Sequence, residues 1–180
     1  MIITMNKTIL AISGSLREGS SNTQLLTLLG TWAPAAINYQ IYTGMGGLPH
    51  FIPMAEGKAY PAAVQNLHQQ LNAADAVIIC TPEYAFGVPG SLKNLLDWTV
   101  AAGNFVDKPV AVITASSQGN YAHPSLLTTL GAINAHIIEG ATLLIPFIRA
   151  KMDTGGHVID AATEKELRLV FDNLLKAIKG

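Results

Sequence analysis

The chain has 180 residues, 49% of them hydrophobic and 13% charged, with a formal net charge of -1; this suits one α/β-sized globular domain and gives no basic field for nucleic acid. Its single cysteine, Cys80, excludes an internal disulfide framework or a cysteine-rich metal centre. No apolar run reaches the roughly 20 residues that a bilayer requires, so no membrane partner is expected, and without a cleavable signal pattern a reducing cytoplasm is the expected compartment.

Lys7 to Ser13 (KTILAIS) is apolar on both faces and predicts a first strand covered on both sides. The Asn6-Lys7-Thr8 glycosylation sequon at its entrance is taken as chance, since nothing else suggests secretion. After a loop from Gly14 to Asn22, the spacing of Leu25, Leu26, Leu28 and Leu29 predicts a helix over Thr23 to Ala33. Ile37 to Tyr42 alternates, as an edge strand with one wet face does. Thr43 to Tyr60 is rich in Gly, Pro and Met and too long for an ordinary connection, so part of it is expected to fold over a ligand.

Val64, Leu67 and Leu71 place a helix over Ala62 to Ala73, and Asp75 to Thr81 is a continuous apolar strand. Leu95, Leu96 and Val100 mark a helix over Leu92 to Ala101, followed by a strand from Pro109 to Ala115. Pro124, at a tolerated first-turn position, begins a helix that runs to Ala135; Ile137 to Ile145 is the fifth strand. Ala161 to Ile178 closes the chain as a helix with the stripe Leu167, Val170, Phe171, Leu174 and Leu175. Strands alternating with helices predict a doubly wound α/β domain in three α/β/α layers, because parallel neighbours need right-handed helical crossovers. No repeat, linker or low-complexity tract divides it, so 1–180 is expected to be a single domain.

Three loops carry the candidate chemistry. The first strand ends at Ser13 and runs into Gly14-Ser15-Leu16-Arg17-Glu18-Gly19-Ser20-Ser21-Asn22, directly before a helix. A helix N-terminus presents unpaired N–H groups and about half a positive charge, which suits a phosphate. The hydroxyls of Ser15 and Ser20, the Asn22 amide and the Arg17 guanidinium are placed to complete its shell. The loop spells neither a Walker A motif nor a three-glycine dinucleotide fingerprint. Ser20, Ser21 and Asn22 are also preferred helix caps, and that role by itself accounts for one of them. It does not account for Ser15 and Arg17 at the carboxyl end of the leading strand, where ligands of open α/β sheets collect.

The third strand leads into Thr81-Pro82-Glu83-Tyr84-Ala85-Phe86-Gly87-Val88-Pro89, stiffened by two prolines. Its backbone can read the edge of a flat heterocycle, with Tyr84 and Phe86 as packing faces. The fourth strand leads into Ser116-Ser117-Gln118-Gly119-Asn120-Tyr121, whose small residues let backbone approach a ligand. From these residues alone, a phosphate-ligand binding domain with no redox chemistry stays open.

GSLREGSSN followed by TPEYAFGVPGSLKNLLDW resembles the NADPH-dependent FMN reductase family, within the flavodoxin-like superfamily. The family's phosphate loop, commonly Gly-Ser-x-Arg-x-x-Ser-x-Asn, maps onto Gly14, Ser15, Arg17, Ser20 and Asn22, and its Pro-Glu-Tyr turn maps onto Pro82, Glu83 and Tyr84. The resemblance implies a flavodoxin-like five-stranded parallel sheet in the order 2-1-3-4-5. FMN would sit at the switch point, on the loops after strands one, three and four. It implies Ser13, Ser15, Arg17, Ser20, Ser21 and Asn22 around the phosphate end, and Pro82, Glu83, Tyr84, Ala85, Phe86, Ser116, Ser117, Gln118 and Gly119 around the ring and ribityl chain. NADPH or NADH is the implied electron donor, and the implied acceptor is a small molecule such as a flavin, quinone, azo compound or metal oxyanion. A homodimer or homotetramer is implied, with the neighbouring subunit covering part of the flavin. No side chain is assigned as catalytic, since the flavin carries the chemistry. The family often has Asn after Pro-Glu-Tyr; here Ala85 stands in its place, so contacts to the ring there must come from backbone. The other redox reading of such a fold, a flavodoxin-type one-electron carrier, usually comes with strong acidity and a Thr-rich phosphate loop, and this chain has neither.

Cys80, at the end of a buried strand with no cation near it in sequence, reads as a small core hydrophobe rather than a nucleophile. The five histidines lack ligand spacing, so no metal site is expected, and most of them read as surface or loop residues. Glu83 suits a capping role as well as an acid-base one. Asp97 and Trp98, mid-helix, suit packing or a subunit contact.

Overall fold

Five parallel strands, β1 (Lys7–Ser13), β2 (Ile37–Tyr42), β3 (Ala76–Thr81), β4 (Pro109–Ala115) and β5 (His136–Ile145), form one sheet in the order β2-β1-β3-β4-β5. The computed structural model describes residues 7–55 and 57–178, so Asn6 of the sequon lies outside the described residues. The period-2 geometry of a strand splits each apolar run between two cores. Ile9 and Ala11 of β1, Ile78 and Cys80 of β3, and Ala111, Ile113 and Ala115 of β4 face one core. Leu10 and Ile12, Val77 and Ile79, and Val110 and Val112 face the other. Ile9, Ile78 and Ile113 are fully buried, each contributing about 1.5–3 kcal/mol over exposure.

The first core is closed by α1 (Ser21–Thr31) and α5 (Ala161–Ala177), the second by α2 (Ala62–Ala73), α3 (Gly90–Val100) and α4 (Ala122–Ala132). This is the doubly wound three-layer arrangement expected from the alternation of elements, with the strand order that the family resemblance implies. β2 is an edge strand, with Ile37, Tyr39 and Ile41 packed inward and Asn38 and Gln40 facing out.

The helix ends differ from expectation where caps decide them. α1 begins at Ser21 rather than Thr23, because the Ser20 side chain accepts from Asn22 N and caps it. α4 begins at Ala122, ahead of Pro124, and stops at Ala132 rather than Ala135. It stops because Asn134 takes φ 57° and the N–H groups of Asn134 and Ala135 turn back onto the carbonyls of Gly131 and Leu130. β5 is bulged: Val110 pairs with Ile137 and Val112 with Thr142, so Ile138 through Ala141 face Ala111 alone. Gly140, at φ 70°, makes that bend.

The segment from Thr43 to Tyr60 packs on α3, and none of its described residues lines the cavity at the carboxyl ends of the strands. Its Pro49 carbonyl accepts from Trp98 Nε1 at 2.9 Å and Asn94 Nδ2 at 3.0 Å, and Phe51 lies edge-on to Trp98. Trp98 thus serves packing, and Asp97 pairs with Lys93 one turn away. His50, His136 and His157 are exposed, as expected of most of the histidines; His68 instead is buried against the Trp98 carbonyl.

Candidate functional site

The loops at the carboxyl ends of β1, β3, β4 and β5 enclose a cavity of about 440 Å³, within the range of roughly 300–1,000 Å³ usual for small-molecule sites. The first loop leaves the sheet through Gly14, whose N–H still pairs with the Cys80 carbonyl at 2.7 Å. A Cβ on Gly14 would lie 2.4 Å from Thr81 Oγ1, so only glycine lets β1 and β3 run this close. Beyond it, Ser15 Oγ accepts from Arg17 N and Ser20 Oγ from Asn22 N, which leaves both hydroxyl protons free to donate. The N–H groups of Ser21 and Thr23 donate to no described residue. Ser15, Arg17, Ser20, Ser21 and Asn22 all line the cavity.

Two residues of this loop are committed elsewhere. Ser13 lies behind the cavity wall, its Oγ 2.8 Å from Thr23 Oγ1, and does not line the cavity. The Asn22 side chain turns inward, donating to the Ala115 carbonyl at 3.2 Å and accepting from Cys80 Sγ at 3.2 Å. Its amide anchors the start of α1 to β3 and β4. Burial pushes the Cys80 thiol up, so the sulfur stays protonated and serves as that donor, the structural role expected of it.

Pro82, Glu83 and Tyr84 form the second wall. Tyr84 and Gly87 then exchange both backbone hydrogen bonds, closing a two-residue turn with Ala85 at φ 47° and Phe86 at φ 62°. Such a turn favours Asn-Gly, because both central residues need positive φ. The frequent Asn at the position of Ala85 therefore has a backbone reason, and Ala85 and Phe86 stand at the tip, outside the cavity lining. Phe86 packs edge-on to Tyr121, 4.9 Å between ring centroids.

Glu83 joins the second wall to the third. Its Oε2 accepts from Tyr121 N and Ala122 N, both at 2.8 Å, and so caps α4, whose own Tyr121 offers no side-chain cap. Its N–H donates to Ser116 Oγ at 3.2 Å. Ser116 and Ser117 line the cavity, whereas Gln118 and Gly119 do not. Gly119 is at φ 94° with Leu144 and Thr114 packed against the place a Cβ would occupy; it shapes the loop from behind. Thr114 Oγ1 also lies 2.9 Å from His123 Nδ1, and burial lowers the pKa of that imidazole.

The fourth wall was not anticipated: Phe147, Ile148, Arg149 and Ala150, after β5, also line the cavity. No motif marks them, but their place after a strand's carboxyl end is the signal that pointed to the other three loops. The donor set fits FMN. Free amides at a helix N-terminus, two hydroxyls and Arg17 suit the phosphate, and the proline-stiffened turn with Tyr84 suits a flat ring system.

The profile of the NADPH-dependent FMN reductase family matches residues 7–150. The chain belongs to this family. An NAD(P)H-dependent FMN reductase of Pseudomonas aeruginosa is 30% identical over 158 residues, 84% of each chain. A quinone reductase of Escherichia coli is 31% identical over 162 residues, 86% of each. Among solved structures, the flavoenzyme FerB of Paracoccus denitrificans, an NAD(P)H:(acceptor) oxidoreductase, superposes with a TM-score of 0.76 at 27% identity, covering 96% of this chain and 97% of its own. This reductase is thus an oxidoreductase with FMN as cofactor and a reduced nicotinamide as donor. Among the described residues no helix is long and apolar enough to cross a membrane.

Proposed function

We propose that this member of the family is a quinone-type reductase that holds FMN through its first loop and takes electrons from NADPH or NADH in the same open cavity. The observation that carries the reading is the convergence of free α1 amides, Ser15, Ser20 and Arg17 on a cavity whose other walls are mainly apolar or backbone. When bound, FMN supplies the redox chemistry, accepting a hydride equivalent from the donor and passing two electrons to the acceptor.

The protein's own residues bind and orient. Ser15, Arg17, Ser20, Ser21 and the first-turn amides of α1 hold the phosphate, with Ser13 and the Asn22 amide fixing the loop through Thr23, Ala115 and Cys80. Pro82, Glu83 and Tyr84 form the stiff wall along which the ring lies, and Ser116 and Ser117 close the other side. Quinone as acceptor class is supported by the Escherichia coli relative and by Tyr84 and Phe147, exposed aromatics at the cavity mouth that suit a flat, uncharged molecule. Leu16, Phe86 and Tyr121, on the loops that carry the site, are exposed as well, which suits a homodimer or homotetramer whose neighbouring subunit covers them. The cytoplasm is the compartment in which such a donor is available.

Anaerobic stopped-flow mixing of the FMN-loaded protein with NADPH, then with 1,4-benzoquinone, tests the reading. Rapid bleaching of flavin absorbance followed by rapid recovery is expected. No bleaching with either nicotinamide would mark a one-electron carrier, and no FMN binding at micromolar concentration would leave only a phosphate-ligand domain.

A further inference from the structure

We infer that Arg149, on the loop after β5, is a second guanidinium for the flavin's phosphate, so that the site is built for a phosphomonoester dianion. The inference rests on the FMN reading above and deepens it. Phe147 at φ 55° bends the chain back toward the cavity as it leaves β5. The bend is pinned to the fourth loop by Phe147 N donating to the Ser117 carbonyl at 3.2 Å and Ile148 N to the Ser116 carbonyl at 3.1 Å. Ile148, 4% exposed, anchors the turn in the core, so the stem of Arg149 leaves from a fixed point.

Charge completes the case. Among the described residues neither Arg17 nor Arg149 makes an ion pair, although both line the same cavity. The one carboxylate in the described lining is Glu83, and its Oε2 is spent on two amides of α4. Two guanidinium groups and a helix N-terminus therefore line one cavity, and Glu83, held on the amides of α4, leaves that lining with positive charge in excess. A phosphomonoester near neutral pH carries almost two negative charges and three terminal oxygens, enough to take a guanidinium on each of two sides, where a phosphodiester has one charge and two such oxygens. Arginine forks on phosphate oxygens are the geometry that gives such contacts both strength and direction.

The test compares FMN with riboflavin, which lacks the phosphate, in titrations of flavin fluorescence against the flavin-free full chain. Wild type, Arg149→Ala, Arg149→Lys and Arg17→Ala are measured, with melting temperature as the fold control. Arg149→Ala is expected to raise the Kd for FMN about 10- to 100-fold, the range for one charge-assisted contact, while riboflavin Kd moves less than about twofold. Arg149→Lys should recover part of the loss. Equal weakening of FMN and riboflavin would make Arg149 a shape residue and overturn the inference. So would an unchanged FMN Kd with a raised KM for NADPH and not NADH, which would assign Arg149 to the donor's 2′-phosphate. If Arg17→Ala loses FMN affinity and Arg149→Ala does not, only Arg149 is misassigned. If wild type binds FMN no more tightly than riboflavin, the phosphate cradle itself is wrong.

Discussion

Replacing Glu83 by Ala removes the acceptor that caps α4. Oε2 takes two N–H groups at 2.8 Å, and α4 has no local cap to substitute for it. A hydrogen bond to a charged group contributes about 1.5–3 kcal/mol, but Glu83 is only half-buried, so water reaches the freed amides. The net loss should therefore resemble a strong capping loss, about 1–2 kcal/mol. For a chain of this length each kcal/mol moves Tm by about 2–4 °C, so Glu83→Ala should melt about 3–6 °C lower. Glu83→Gln keeps an oxygen acceptor without the charge and should lose about half as much. Because the same carboxylate joins the second and third walls of the cavity, FMN should also bind more weakly in the Ala variant. Thermal melts of the flavin-free chain, with FMN titrations alongside, make the check. A Glu83→Ala protein that melts within about 1 °C of wild type would refute the capping argument.

Ala85→Gly should raise the melting temperature, since alanine at φ 47° carries about 1 kcal/mol of left-handed strain that glycine lacks; a lower Tm would contradict this account of the turn. Cys80→Ser keeps a donor to Asn22 Oδ1 and should retain turnover, whereas Cys80→Ala leaves that buried oxygen unpaired and should lose about 1–3 kcal/mol. A folded, flavin-loaded Cys80→Ser protein without activity would reverse the assignment. His123 has its pKa lowered by burial, so the unfolded chain takes up a proton first as pH falls. Stability from this group is present above its ordinary value of 6.5 and is lost as pH falls from there through the lower folded pKa. Asp75, Asp153 and Asp160, lowered from 3.8, act in a more acidic window. Urea melts across this range should show the slope in wild type and a flatter one in His123→Gln; identical slopes would exclude His123.

The fold was legible because a parallel sheet buried on both faces leaves continuous apolar runs, and those at Ile9–Ile12, Val77–Cys80 and Val110–Ala115 have no amphipathic reading to compete. What escaped depends on distant partners. α4 starts two residues early because Glu83, from another loop, caps it, and no local spacing announces that. The insertion in β5 was invisible because Ile137 to Ile145 reads as one strand, and only its pairing with β4 shows that the residues around Glu139 and Gly140 are extra. In the site, the first three walls were legible from small residues and turn chemistry after strands. Phe147 and Arg149 were not, since a lone arginine after a strand carries no pattern until topology brings it to the same cavity as Arg17. Asn22 shows the converse: its spelling suits a phosphate ligand, yet its amide holds Ala115 and Cys80.

A crystal structure of the chain with FMN bears most directly on the proposed cradle. Phosphate oxygens within hydrogen-bond distance of Ser15, Arg17, Ser20 and the first-turn amides of α1, with the ring along Pro82 to Tyr84, are the expected result. A flavin whose phosphate faces solvent or rests on another loop, leaving the α1 N-terminus to water, would contradict the account.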